Sequence, residues 1–204
     1  MSIVYWHLGM DPDAAKAYIL SRLKNELDPK WTYHSLEHTL DVYASVIGIA
    51  EQEGVEGQDL VLLKIAALYH DAGFIVADHD HEERSCGIVR KELPRFGFNS
   101  EQIERICGMI LSTKIPQVPK CELCGILCDA DMDYLGRSDF KIIGDMLFQE
   151  LCDQGTVGTR REWNELQVRF LEHHHYFTPT NKALREPKKQ EHLSALRSWL
   201  ANEQ

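Results

Sequence analysis

Ala66-Ala67-Leu68-Tyr69-His70-Asp71-Ala72-Gly73 closes the most apolar helical segment of this chain, and its reading decides the fold. From Leu60 to Tyr69 the sole charge is Lys64. A helix apolar nearly all round belongs in a core and not on a surface, so His70 and Asp71 are delivered into an interior with little water. Gly73 is a natural stop for that helix. Adjacent helical positions diverge by about 100°, so His70 and Asp71 share a target only where the helix ends. An ionised carboxylate in apolar surroundings is costly unless it is paired or bound to a metal. A bracing His-Asp hydrogen bond meets that need as well as a metal does, so the choice turns on what else reaches the same point.

Composition sets the frame. At 204 residues the chain is long enough for one well-formed core, and a single domain over 1–204 is expected. No run approaches the roughly 18 uncharged apolar residues of a membrane span. Met1 to Met10 shows no basic segment followed by an apolar stretch, so the expectation is no secretory signal and a cytoplasmic protein. Six cysteines in such a chain are read as reduced thiols and not as a disulfide framework. A net charge of −10 argues against a partner bound through its phosphate backbone, which needs clustered Lys and Arg. Small anionic substrates remain compatible with that charge if a metal or a local basic group offsets the field.

Periodicity predicts helix almost throughout. Asp11-Pro12 pairs an N-cap with a first-turn proline and opens a helix to about Leu27, which Asp28-Pro29 closes. A second helix is expected over about 35–52, with Leu36, Leu40, Tyr43, Ile47 and Ala50 on its apolar face, followed by the central one over about 58–72. Phe74 to Asp80 reads as a loop, His81 to Leu93 as a helix stopped by Pro94, and Asn99-Ser100 as the cap of a helix through Thr113 bearing Ile103, Ile106, Cys107 and Ile110. Further helices are expected over about 121–135, 138–152, 159–175 and 188–201. With no strand alternation, the fold class is all-α.

Two further stretches supply chemistry. Tyr33-His34-Ser35-Leu36-Glu37-His38-Thr39 carries two histidines four apart, on one face of a helix start. Imidazole is a common ligand of catalytic divalent metals, although an exposed polar face fits the pair as well. In Leu127-Cys128-Asp129-Ala130-Asp131-Met132-Asp133, helical neighbours of Asp131 are Leu123, Cys124, Leu127, Cys128, Tyr134 and Leu135, all apolar. Asp129 has Glu122, Gly125 and Asp133 beside it, on a mixed face. Asp131 is therefore the acid driven inward, where it needs a cation or several donors; a capping or salt-bridged role is the alternative. His38, His70, Asp71 and Asp131 together are two nitrogen donors and two carboxylates, a sound set for one divalent ion with positions left for water and substrate.

The order His, His-Asp, Asp, in the settings Tyr33-His34-x-x-x-His38-Thr39-x-x-Val42, Ala67-x-x-His70-Asp71-x-Gly73 and Asp129-Ala130-Asp131, resembles the HD-domain superfamily of metal-dependent phosphohydrolases, from about Thr32 to Leu135. The resemblance implies a helical bundle of that type, with the helices of 138–201 packed on its core, and a metal held by His38, His70, Asp71 and Asp131. In the cyclic-nucleotide phosphodiesterase branch a histidine in a Tyr-His-Asn-x-x-His setting protonates the leaving oxygen. His34 matches that position and is the implied general acid, or else a group just behind the ligands; Ser35 stands where that branch has Asn. Branches with two metals carry further histidines that this chain does not clearly supply, so one ion is expected, its identity open among Mn, Co, Mg, Fe, Ni and Zn.

His81-Glu82-Glu83-Arg84-Ser85 is similar to a His/Asn-Glu-Glu-x-Ser stretch of bacterial predicted phosphohydrolases in the same superfamily. Glu82 lies on the stripe of Cys86, Val89 and Leu93, so its carboxylate either faces the site and orients water or a metal-bound histidine or serves only the helix dipole. His81 is a candidate for a second metal or for substrate. Arg84 and Lys114 are candidates to meet a phosphate, each also readable as an ordinary surface cation. Of His173-His174-His175, only His174, on the face of Trp163, Leu166 and Phe170, is placed to line the site; a surface cluster is the alternative. Cys121-x-x-Cys124-x-x-x-Cys128 lacks a fourth metal ligand and reads as buried thiols on one helix face.

The expected function is hydrolysis of a phosphoester of a nucleotide or similar small molecule by metal-activated water, with Asp71 orienting the water and His34 protonating the leaving group. The alternatives are a non-catalytic nucleotide- or metal-sensing module using the same pocket, and di-iron oxygenase chemistry, which needs more histidines than can be placed. Expected partners are the small phosphoester, no nucleic acid and no membrane, and a homodimer is compatible with the sequence.

Overall fold

The computed structural model describes residues 9–77 and 79–203 and is built from ten α-helices, with no strand among the described residues. They are α1 (Pro12–Glu26), α2 (Leu36–Gln52), α3 (Gly57–Tyr69), α4 (His81–Glu92), α5 (Ser100–Ser112), α6 (Glu122–Asp131), α7 (Phe140–Asp153), α8 (Arg160–His173), α9 (Pro179–Leu184) and α10 (Glu186–Asn202). Short 3-10 turns follow α3, α4 and α6, at Ala72–Ile75, Leu93–Phe96 and Asp133–Gly136. The helix starts are capped as their residues dictate. Asp11 accepts from Ala14 N ahead of Pro12, Asn99 and Gln102 form a capping box on α5, and Thr159 and Glu162 form one on α8.

The central helix is α3. Val61, Leu62, Leu63 and the run Ile65 to Tyr69 are all buried, as a helix apolar all round requires. Around it pack α1, α2, α5 and α6, with α4 laid on α5 and on the turn after α3. A second, smaller apolar cluster joins Tyr33, Tyr134, Leu135, Phe140, Leu171 and Leu193, drawing α7, α8 and α10 towards the end of α6. No helix among the described residues is long and apolar enough to cross a membrane.

Several sequence expectations are corrected. The buried face of α2 is His38, Thr39, Val42, Val46, Ile49 and Ala50, while Leu40 is exposed. Two polar residues head the inward stripe, so an apolar count rotates the face away from it. The helix expected to run on to 135 ends at Asp131, and α9 arises where none was expected, because Thr178 accepts from Asn181 N ahead of Pro179. Cys121 and Cys124 form a disulfide and are not free thiols. Cys121 is the exposed N-cap of α6, outside the apolar face that Cys124 and Cys128 share, and its backbone turn brings its sulfur onto Cys124. Cys86, Cys107 and Cys128 are buried free thiols, as expected.

Candidate metal centre

Two features bring the end of α3 into position. Ser85 Oγ donates to His70 O at 2.6 Å and accepts from Gly73 N at 2.8 Å, so one hydroxyl joins the last carbonyls of α3 to the turn beyond it. Gly73 lies so close to α4 that a Cβ there would meet His81 O at 2.0 Å. From the other side, Ser35 caps α2 by accepting from His38 N at 3.3 Å, which sets the first turn carrying His38 against α3 and α6.

The four expected ligands converge. His38 Nε2 lies 3.3 Å from His70 Nε2, 3.4 Å from Asp71 Oδ2 and 3.2 Å from Asp131 Oδ1. His70 Nε2 lies 3.2 Å from Asp71 Oδ2 and 3.7 Å from Asp131 Oδ1. Donors bonded to one ion at about 2.0–2.2 Å stand roughly 3.0–3.5 Å apart, so His38, His70 and Asp71, whose donor atoms all lie within 4.8 Å of one another, have the dimensions of part of a coordination shell, with Asp131 Oδ1 beside the two histidines. All four residues are buried.

Hydrogen bonding within the cluster asks for a cation. His70 Nδ1 faces the Ala67 carbonyl at 2.8 Å and must carry a proton, which leaves Nε2 of the neutral ring as a lone pair turned towards carboxylate oxygens. Asp71 Oδ2 is buried and has no hydrogen-bond partner among the described residues. Without an ion, protons take its place. Burial alone would lower His38, but the Asp131 and Asp71 carboxylates beside it outweigh burial and carry it up to about 9; they raise His70 well above its usual value too. Burial would raise Asp71 and Asp131, and the two histidines overcome it, holding Asp71 well below the carboxylate range and Asp131 at about 2. Neutral imidazoles and ionised carboxylates around a divalent ion satisfy the same atoms without any extra proton.

The other sequence candidates divide. His34 stacks on Phe74 at 4.3 Å, and its ring lies 6.2 Å from that of His38 and 6.0 Å from that of His81. His81 Nε2 reaches Asp71 Oδ1 at 3.5 Å and Glu82 Oε1 at 3.4 Å, so His81 and buried Glu82 border the cluster on its Asp71 side. Arg84 turns to the carbonyl and ring of His79 at 2.9 and 2.8 Å, bracing the start of α4. Lys114 pairs with Glu83 at 2.7 Å and Asp80 at 3.4 Å on the surface. His174 sits just beyond the end of α8, buried beside Lys189.

Two acids escaped the sequence reading. Glu150 of α7 accepts from Tyr33 N at 2.9 Å, from His34 N at 3.1 Å and from His34 Nδ1 at 2.5 Å. Burial would raise its carboxyl, and the bond from His34 outweighs burial and holds it below its usual value. Its helical neighbours Ile143, Met146 and Leu147 are apolar, the signal that singled out Asp131. Asp129 was placed on a mixed face, yet it is more deeply buried than Asp131 because residues 177–178 cover it. It accepts from Phe177 N at 2.7 Å, Thr178 N at 2.8 Å and Thr178 Oγ1 at 2.6 Å, and that cover, remote in sequence, leaves no trace in helical periodicity.

Residues 35–133 match the family model of the HD domain. No curated protein and no solved structure matches the chain.

Proposed function

Because residues 35–133 make this chain a member of the HD-domain superfamily, we propose that it is a metal-dependent phosphohydrolase acting on the phosphoester of a nucleotide or similar small molecule. The observation that carries this reading is the convergence of His38, His70 and Asp71, with Asp131 beside both histidines, and a buried Asp71 Oδ2 that has the two imidazoles at 3.4 and 3.2 Å but no hydrogen-bond partner among the described residues. A divalent ion held by His38, His70, Asp71 and Asp131 would supply Lewis acidity towards a bound water and the phosphoryl oxygens. The chain's own residues do the remaining work. Asp71 orients the attacking water, and Glu82 with His81 forms the polar rim that holds it. His34 protonates the leaving oxygen from Nε2 when its ring carries both protons, the one on Nδ1 being held by Glu150, and it is left as the neutral Nδ1–H ring afterwards. The overall charge of −10 would repel a phosphoester, and a cationic centre in the cluster offsets it locally.

Purified protein supplied with Mn²⁺, Co²⁺ or Mg²⁺ is expected to release phosphate or a nucleoside from at least one member of a nucleotide panel. Asp71→Ala is expected to abolish that release. Activity that persists in Asp71→Ala rules the mechanism out, and stabilisation by a nucleotide that stays intact over hours makes the chain a binding module instead.

A further inference from the structure

The disulfide of this chain lies at the head of α6, at the opposite end of that helix from the metal ligand Asp131. Cys121 is the N-cap, with extended backbone, and is exposed. Cys124, one turn into the helix, is 5 % exposed and belongs to the apolar core. The Cys121 sulfur also accepts from Cys124 N at 3.0 Å. One half of the bond is therefore open to solvent and the other half is covered.

A structural staple is a poor account of this bond. Cross-links stabilise by restricting the unfolded chain, and they do so more for longer loops, whereas Cys121 and Cys124 are only three apart in sequence. The helix has other anchors. Every residue from Cys124 to Asp131 is buried, and Cys128 Sγ donates to Ser112 O at 3.0 Å. What the position does supply is activation. Backbone N–H groups of a first helical turn have no intrahelical acceptor, and with the positive end of the helix dipole they favour a thiolate over a thiol. Both sulfurs lie in that turn, Cys121 at the cap and Cys124 at the third helical position. An accessible thiolate beside a resolving thiol is the arrangement in which thiols and disulfides exchange. The other described cysteines lack it. Cys86, Cys107 and Cys128 are buried, and burial pushes the Cys128 thiol up. Cys152 stands in the last turn of α7, where the dipole opposes a thiolate.

We propose that Cys121 and Cys124 form a thiol–disulfide exchange site whose substrate is a dithiol, with Cys121 as the sulfur attacked. A thiolate of the dithiol bonds to Cys121 Sγ, and the bond to Cys124 breaks with its electron pair leaving on Cys124 Sγ. The first-turn amides hold that thiolate until it takes a proton. The second thiol of the reagent then attacks the mixed disulfide, closes the reagent's own disulfide and releases Cys121 as a thiolate, which is protonated in turn. Two electrons and two protons pass from the dithiol to the pair. Asp131 stands about 15 Å further along α6 at 1.5 Å per residue, on a stretch that packing holds in place, so exchange leaves the metal ligands where they are. The site is independent of the phosphohydrolase reading.

Alkylation of the folded, full-length protein, followed by peptide mass mapping, tests it. Protein kept in glutathione disulfide is expected to have Cys121 joined to Cys124. Dithiothreitol or reduced thioredoxin is expected to free both well below the melting temperature; release by either supports the proposal, and release by thioredoxin alone makes the source a protein dithiol. In the reduced protein Cys121 is expected to alkylate roughly tenfold or more faster than Cys86, Cys107, Cys128 or Cys152 near neutral pH. Cys124→Ala, which lacks the resolving sulfur, is expected to trap glutathione on Cys121, and Cys121→Ala to take up none on Cys124. A pair that never joins, a disulfide that opens only as the protein melts, or a Cys121 no more reactive than Cys152 overturns the proposal. These three results are read on the wild-type chain, so they decide the matter whether or not the variants fold.

Discussion

At the scale of single residues, Glu150 and His34 show how one buried carboxylate fixes the chemistry of one imidazole. Glu150 takes hydrogen bonds from the backbone on which His34 sits as well as from its ring, so it sets both the position of the histidine and its tautomer. Glu150→Gln is predicted to lower kcat by roughly 10- to 100-fold, a share of what a general acid contributes, and to shift the limb of the pH–rate profile that reports the acid. An unchanged profile in the variant would remove Glu150 from the mechanism. His70, Asp71 and Asp131 were legible because each interrupts an apolar helical pattern near its end, and His38 because it stands four residues after His34 at a helix start. Glu150 interrupts such a pattern as well, but it has no histidine beside it in sequence to mark it as more than an ion pair. Asp129 was misread because its neighbours along the helix say nothing of residues 177–178 that close over it.

At the scale of elements, the junction of α3, its 3-10 turn and α4 holds two of the four ligands. Gly73 is indispensable there, since a side chain at this position collides with backbone that cannot step aside. Gly73→Ala is predicted to cost about 3 kcal/mol, a fall in melting temperature of roughly 6–12 °C, and to weaken metal binding, because Asp71 precedes the displaced turn. A melting curve indistinguishable from wild type would show that the junction gives way more easily than its contacts imply. Asp129 ties the stretch at 177–178 to α6 in a comparable way, and Asp129→Ala is predicted to cost about 2–4 kcal/mol in urea unfolding, since three donors lose their acceptor. The number and order of the long helices were readable from caps, prolines and period. The facing of α2 was not, because His38 and Thr39 point inward for the sake of the site, at odds with a rule that sends polar residues out. The disulfide at Cys121 and Cys124 depends on a backbone turn at the head of α6, which residue spacing alone leaves undecided.

At the scale of the whole molecule, the cluster couples stability to pH and to metal. In metal-free protein His38 titrates near 9, above the value of about 6.5 expected in the unfolded chain. The stability it contributes is therefore complete below about pH 6.5 and is lost as pH rises through about 9. Metal binding needs neutral imidazoles and displaces those protons, so it grows more favourable over the same range. Thermal melts at pH 6.5, 7.5 and 8.5 are predicted to show the metal-free melting temperature falling and the increment from added Mg²⁺ or Co²⁺ growing. A constant increment would mean that the metal binds away from the histidines. The most direct test is anomalous diffraction from crystals grown with Mn²⁺. The account predicts a peak about 2.0–2.3 Å from Nε2 of His38, Nε2 of His70 and a carboxylate oxygen of both Asp71 and Asp131; a peak elsewhere, or none with these four side chains in place, would contradict it.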